Sequence, residues 1–321
     1  MVTAMGAAIW SYSFMQRAMI AAVLIGFAAP SVGIYLLQRR LALIGDGLGH
    51  VALAGVALGL ITSTSPVWMA LLVAVVGALA VELIRTRGRT GGDTALAIMF
   101  YGGIAAGLVM VSQAPDATPV NLNSYLFGAI TTTSWADVVT FAVLTLVVLV
   151  VTIGMRRALY ATSNDEEFAL AAGLPVLRLN LLLAVLTAVT VVVSMRVVGL
   201  LLVSALMVVP VAAAQQLARS FAQTMSAAIA IGVISALGGV ATSRTTNTPS
   251  GPTIILVAIG FFVVAAIARS AITRTAIAHT AIARSPITSG RDHDHWLSEN
   301  EPGGHEPGGH EAGGSEPEGR G

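Results

Sequence analysis

The chain has 321 residues, of which 55% are hydrophobic and 10% charged, and its mean hydropathy is +0.83. Soluble domains carry about 25% charged and roughly 45–50% apolar residues, so the composition excludes a soluble enzyme and indicates a membrane protein. All 17 basic residues are arginine, and neither lysine nor cysteine occurs. Without cysteine there is no disulfide framework, thiolate metal site or cysteine nucleophile. Without lysine there is no GxxxxGK[ST] phosphate loop, so any ATP-driven step requires another polypeptide. The net charge of +1 divides into +7 over residues 1–285 and −6 over residues 286–321.

In chain order, Met1–Gln16 is weakly hydrophobic and lacks a basic n-region, which predicts a short interfacial segment with Trp10 and Tyr12 at the headgroup level. Crossing hydrocarbon takes about 20 apolar residues, and nine such runs follow. They are Ala18–Leu37, Leu41–Ile61, Val67–Ile84, Thr94–Ser112, Asp137–Gly154, Leu177–Met195, Val197–Ala214, Phe221–Ala241 and Thr253–Ala268. Glycine or proline in the second and seventh predicts that these two are broken rather than regular. The fold class expected is an all-α polytopic membrane bundle of eight or nine transmembrane helices.

Arginine placement orients the bundle. With the N-terminus outside, eleven arginines (39, 40, 85, 87, 89, 156, 157, 178, 219, 269 and 274) face the cytoplasm and three (17, 196 and 244) face outward. The positive-inside rule selects that orientation, and nine spans put the C-terminus in the cytoplasm of a cell (inner or plasma) membrane protein. The polar stretch Gln113–Ala136 is expected to form an external mouth or re-entrant element. The cytoplasmic stretch Arg156–Arg178 reads as a surface helix capped by Ser163 or Asn164, with Asp165, Glu166 and Glu167 at its positive end and Gly173 and Pro175 stopping it. It is either a solvated connector or a docking helix for a cytoplasmic partner. Thr242–Thr253 reads as an external turn.

Beyond a permease domain of residues 1–270, isoleucine and basic residues recur every five positions through a junction at 271–290, a period that forms no clean helical face. Such a basic stretch suits anionic lipid. Residues 291–321 are rich in Gly, Pro and Glu, with an imperfect EPGGH repeat, and should be disordered. There His293, His295, His305 and His310 lie among carboxylates. They read either as weak chelators of zinc or nickel or as incidental members of an acidic tail.

The segment RRLALIGDGLGHVALAGVALGL, Arg39–Leu60, carries the strongest chemical signal. Asp46 and His50 are four apart and share a helix face. Counted from Arg40 at about 1.5 Å per residue, they lie roughly 9 and 15 Å along the helix. Ionisable residues inside a bilayer are costly, and a carboxylate with a neutral imidazole suits zinc, manganese or ferrous iron. One pair is only half a site. Gly45, Gly47, Gly49, Gly55 and Gly59 would let a second helix approach, including the same helix of a symmetry mate. The alternative is a buried ion pair that only locks helix packing. Glu82 reads as an interfacial partner of Arg85, Asp93 and Asp137 as helix-start acids, and Ser204 as a neighbour of the carbonyls freed by Pro210.

Together RRLALIGDGLGHVALAGVALG, GGDTALAIMFYGGIAAGLVM, LNSYLFGAITTTSWADV, SNDEEFALAAGLPV, RVVGLLLVSALMVVPVAAA and TPSGPTIILVAIGF resemble the permease subunits of ATP-binding-cassette importers for zinc, manganese and iron, typified by high-affinity zinc uptake permeases. The resemblance covers about residues 15–268 and excludes the tail. It implies a permease acting as a pair with a second copy, bound to two ATPase subunits and supplied by an extracytoplasmic metal-binding protein. It places the intramembrane metal pair on Asp46 and His50, and the segment coupled to the ATPase on Asp165, Glu166, Glu167, Phe168, Ala169 and Gly173. The expected cargo is a divalent metal, zinc first, with no permanently bound cofactor. Rival readings are a metal-chelate permease of the siderophore or cobalamin type, or a proton-driven carrier using Asp46 and His50 as a relay. An intramembrane zinc protease would need an HExxH motif that is absent.

Overall fold

The computed structural model describes residues 13–87, 92–113, 128, 133–195, 199, 200 and 203–283. Within them the chain forms eleven helices and no strand. They are α1 (Ser13–Gln38), α2 (Ile44–Ile61), α3 (Pro66–Arg87), α4 (Gly92–Ser112), α5 (Trp135–Gly154), α6 (Arg156–Asn164), α7 (Glu166–Ala171), α8 (Val176–Met195), α9 (Val203–Leu217), α10 (Phe221–Thr246) and α11 (Ser250–Ala283). Residues 1–273 form one compact unit, and 274–321 form a second, of which only the end of α11 falls within the described residues.

Eight helices are long and apolar enough to cross a membrane: α1–α5, α8, α10 and α11. Within the ninth expected span, Val197–Ala214, the helix that falls among the described residues is α9, Val203–Leu217, with 15 residues. At about 1.5 Å per residue that is roughly 22 Å, short of a hydrocarbon core. The second expected span is not broken. A turn replaces its first three residues, and α2 then runs unbroken.

Other boundaries also move. The first span begins by Ser13, so the C-terminal end of the expected interfacial segment is membrane helix, while Trp10 and Tyr12 lie outside the described residues. The expected turn at Thr242–Thr253 shrinks to residues 247–249, with Asn247 in the left-handed region at φ 53. Asp137 does cap its helix, in a reciprocal box with Ser134. Asp93's side chain, most of Gln113–Ala136 and the tail histidines lie outside the described residues. The basic junction is helical as far as Ala283.

Helix α8 is buried on nearly every face, packed against α1, α2, α3 and α5. Its Thr187 and Thr190 hydroxyls donate to carbonyls one turn back, at 2.7 and 2.8 Å, which satisfies these two hydroxyls within the helix. Around it, backbones approach through small residues, as expected where lipid supplies no hydrophobic drive between helices. A Cβ on Gly33 of α1 would stand 1.9 Å from the Met207 carbonyl oxygen of α9, so only glycine permits that crossing.

Side-chain contacts tie several helix ends together. Arg39 after α1, Arg85 in α3 and Glu166 in α7 meet in one chain of ion pairs. Arg269 of α11 donates to Gln216 of α9 at 3.2 Å. Arg244 near the end of α10 lies over the ring of Phe14 at the start of α1, 5.9 Å from its centroid.

Candidate functional site

The site begins at a reversal of the chain. Arg40 adopts φ 59, and the Leu41 N–H reaches back to the Leu36 carbonyl at 2.9 Å, closing α1 with a left-handed cap. Leu41 is buried beneath this turn. The reversal uses up residues that the sequence reading had counted as helix. From Ile44, where α2 starts, Asp46 is two residues in and His50 six, roughly 3 and 9 Å along the axis. Asp46 therefore sits in the first turn, where the positive end of the helix dipole favours a carboxylate.

Asp46 and His50 do not form the packing ion pair. Asp46 Oδ1 accepts a hydrogen bond from Ser204 Oγ, at the start of α9. The reading that Ser204 serves the carbonyls freed by Pro210 is corrected accordingly. The His50 ring lies edge-on to Phe100 of α4, with centroids 4.8 Å apart at 82°, and its Nδ1 is buried without a hydrogen-bond partner. Leu43 is 69% exposed, and Asp46 and His50 are partly exposed. The three follow one another at helical spacing, so this stripe of α2 opens outward.

The glycines around the pair have a different use from the one expected. Gly45 lies against Ser204 and Met207, Gly47 against Met99, Gly49 against Leu200, Gly55 against Ala70 and Gly59 against Pro66. Helices of the same chain thus cover the glycine faces, which leaves the stripe through Leu43, Asp46 and His50 uncovered. Gly103 of α4 fixes the floor: a Cβ there would lie 2.8 Å from the Val51 nitrogen and 3.0 Å from the His50 carbonyl carbon. Neither is a side-chain atom that can swing away. Gly103→Ala is expected to destabilise the protein by about 1–3 kcal/mol, visible as a lower Tm of the detergent-solubilised chain.

Among the described residues no group of three or more His, Asp or Glu stands together as a metal cage. One chain contributes two donors at this position, one carboxylate oxygen being engaged by Ser204 and one imidazole nitrogen lacking a partner. Such a pair is an incomplete shell for a transition metal, which ordinarily takes four or more ligands.

The predicted coupling residues gather on one short element but face different ways. Asp165, not Ser163 or Asn164, caps α7, accepting from the Phe168 N–H at 2.9 Å. Glu167 is exposed, and so are Phe168 (65%) and Leu170 (59%). Ala169 is fully buried. Gly173, at φ +77, closes the helix, with its N–H on the Leu170 carbonyl and the Leu174 N–H on Ala169. Glu166, with its side chain still 39% exposed, accepts from Asn180 Nδ2 at 2.8 Å and lies 3.7 Å from Arg85.

Behind it stands a cluster that the sequence reading saw only in part. Glu82 is 2% exposed and takes Arg85 through Nη2 at 2.8 Å and Nε at 3.2 Å, as expected, but also Arg39 at 3.4 Å. Burial, then the like charge of Arg85, pulls the Arg39 guanidinium below its ordinary pKa, and Glu82 and Glu166 push it back. The polar Asn180 inside an apolar run and the arginine beside Arg40 were the available signals for this cluster, and helical spacing alone could not pair them across three helices.

The sequence pattern of the ABC 3 transport family matches residues 11–269. The chain is similar to the manganese transport system membrane protein MntC of Halalkalibacterium halodurans, with 32% identity over 255 residues, 79% of this chain and 87% of that one. It is similar to the high-affinity zinc uptake system membrane protein ZnuB of Haemophilus influenzae, with 27% identity over 258 residues, 80% and 98% of the two chains. Among solved structures it resembles PsaBC from Streptococcus pneumoniae in complex with Fab, with TM-score 0.75 and 27% identity over 83% of this chain and 95% of that one. A membrane-helical chain that lacks any phosphate loop and matches this pattern from before α1 into α11 belongs to the ABC 3 transport family, as the permease whose ATPase is a separate subunit.

Proposed function

We propose that this permease imports a divalent transition metal, zinc first, with manganese and iron as the other candidates. The observation that carries the reading is the Asp46–His50 pair on an open stripe of α2, with Ser204 holding the carboxylate and His50 Nδ1 buried without a partner. Relatives named for zinc and manganese transport support the choice of cargo class.

Two copies apposed along that stripe bring two carboxylates and two imidazoles to one axis, enough to hold a metal ion. The second copy, the ATPase subunits and an extracytoplasmic binding protein are the partners of this reading. The N-terminus faces outward and the C-terminus the cytoplasm, as the arginines favour. ATP binding by the partner rocks the paired permeases through α6 and α7, exposing the pair to one side at a time. An incomplete, carboxylate-containing shell can release its ion as well as bind it. The tail histidines add a weak, separate metal-holding segment on the cytoplasmic side.

Uptake of radioactive zinc by cells carrying Asp46→Ala or His50→Ala tests the reading, and normal accumulation at normal protein level would remove it. Ser204→Ala is expected to lower uptake by about tenfold, the usual effect of losing a group that orients a metal ligand. Unchanged uptake would mean that the Ser204 hydroxyl does not orient the carboxylate.

A further inference from the structure

The coupling segment is tied to the membrane body through one ordered series of charged contacts. Glu166 of α7 meets Arg85 at 3.7 Å, Arg85 meets Glu82 at 2.8 Å, and Glu82 meets Arg39 at 3.4 Å. Asn180 at the start of α8 holds the other oxygen of Glu166 at 2.8 Å. Arg39 stands at the head of the turn that leads into α2, seven residues before Asp46 in sequence. The carboxylate at the centre of this series is 2% exposed and the Arg39 side chain 6%, so neither charge has water as an alternative partner. Buried charges of this kind are expensive unless paired, and removing one partner strands the other.

Helix α7 has two faces of different chemistry. Phe168 and Leu170 are exposed apolar side chains, while Glu166, 39% exposed, is held by Asn180 and Arg85 of the bundle. A groove of about 420 Å³ runs beside it, lined by Arg85, Thr86, Glu166, Leu170, Val176 and Leu177. The resemblance to metal-ion permeases placed all the acidic residues of this segment together in coupling. The geometry separates them.

We propose that Glu166, Arg85, Glu82 and Arg39 form a latch that makes α7 move as one piece with α3 and with the turn before Asp46, and that Glu166 positions the segment instead of touching the ATPase. The proposal rests on the reading of α7 as the ATPase docking element. It assigns docking to Phe168 and Leu170, and transmission to the paired charges. A push on α7 would then displace the α1–α2 turn directly, at the end of α2 where Asp46 lies. Without the latch, α7 would still dock but would slip against the bundle.

The test uses the full transporter, purified with its ATPase and reconstituted in liposomes, with zinc uptake, ATP hydrolysis and co-purification of the ATPase measured together. Arg85→Gln is expected to retain the ATPase while zinc moved per ATP falls about fivefold or more, within the usual range of a coupling free energy. Arg85→Lys, which restores the charge, is expected to recover most of it. Since Arg85→Gln could also unsettle the buried Glu82, Glu166→Gln supplies a second arm. It keeps an acceptor for Asn180, leaves the Glu82 pairs untouched and is expected to give the same fall. Unchanged zinc per ATP in both variants overturns the latch. Loss of the ATPase from the Glu166→Gln complex overturns it as well, by making Glu166 a contact. If Phe168→Ala with Leu170→Ala leaves the ATPase bound, the docking reading fails and the latch fails with it. If that variant releases the ATPase while Glu166→Gln transports normally, the latch alone fails.

Discussion

His50→Ala is expected to abolish metal uptake above background, with the protein present at its normal level. The reason is the small size of the donor set. Each chain contributes one carboxylate and one imidazole at this position, and no third ligand stands beside them among the described residues. Losing one donor type from both copies therefore halves the shell. Replacing even a group that only orients a metal ligand typically changes affinity by about 10–100-fold, and loss of the ligand itself should exceed that. The His50 Nδ1 makes no hydrogen bond, and Phe100, the ring's aromatic neighbour among the described residues, also contacts Tyr101 at 5.4 Å. Asp46→Ala should behave likewise and leaves Ser204 free to bond elsewhere. Quantitative immunodetection beside the uptake assay separates lost transport from lost protein.

The second large effect is expected at α7. Phe168 and Leu170 are exposed on a six-residue helix that Asp165 caps and Gly173 ends, so their removal should leave the local backbone intact. Truncating two large apolar side chains at the centre of a docking surface removes on the order of 2–4 kcal/mol or more of binding. Phe168→Ala with Leu170→Ala should therefore abolish co-purification of the ATPase subunit, with the permease still extracted from the membrane in normal amount. A retained complex would make α6 and α7 a solvated connector.

Much of the architecture was legible because long apolar runs bounded by arginine have few alternatives in a bilayer. The runs that became α3, α5 and α8 needed only small boundary shifts. What was lost followed from local backbone events that hydropathy does not register. Arg40 at φ 59 moved the start of α2, which changed how far along the helix Asp46 lies. A non-glycine residue in the left-handed region is unusual enough that no reading of RRLALIG would have placed it there.

The candidate residues were legible as types and positions but not as neighbours. Asp46 and His50 stood out because charge inside an apolar run is rare. That Ser204, 158 positions away, holds Asp46 is a fact of helix packing. So is the use of the nearby glycines by α3, α4 and α9 of the same chain. Glu82 could be paired with Arg85 from spacing alone, whereas Arg39 and Glu166 reach it through the tertiary fold. The split of the coupling segment into a Glu166 held by the bundle and an exposed Phe168 also waited for the structure, because Asp165 takes the cap and rotates the acids that follow.

The central claim is that Asp46 and His50, shared between two copies, hold the transported metal. Equilibrium zinc binding to the purified transporter tests it most directly, in a chain whose His293, His295, His305 and His310 are replaced by alanine so that the tail contributes nothing. The account predicts half as many bound zinc ions as permease chains, and none once His50→Ala is added. Undiminished zinc binding in the combined Asp46→Ala, His50→Ala chain would contradict it.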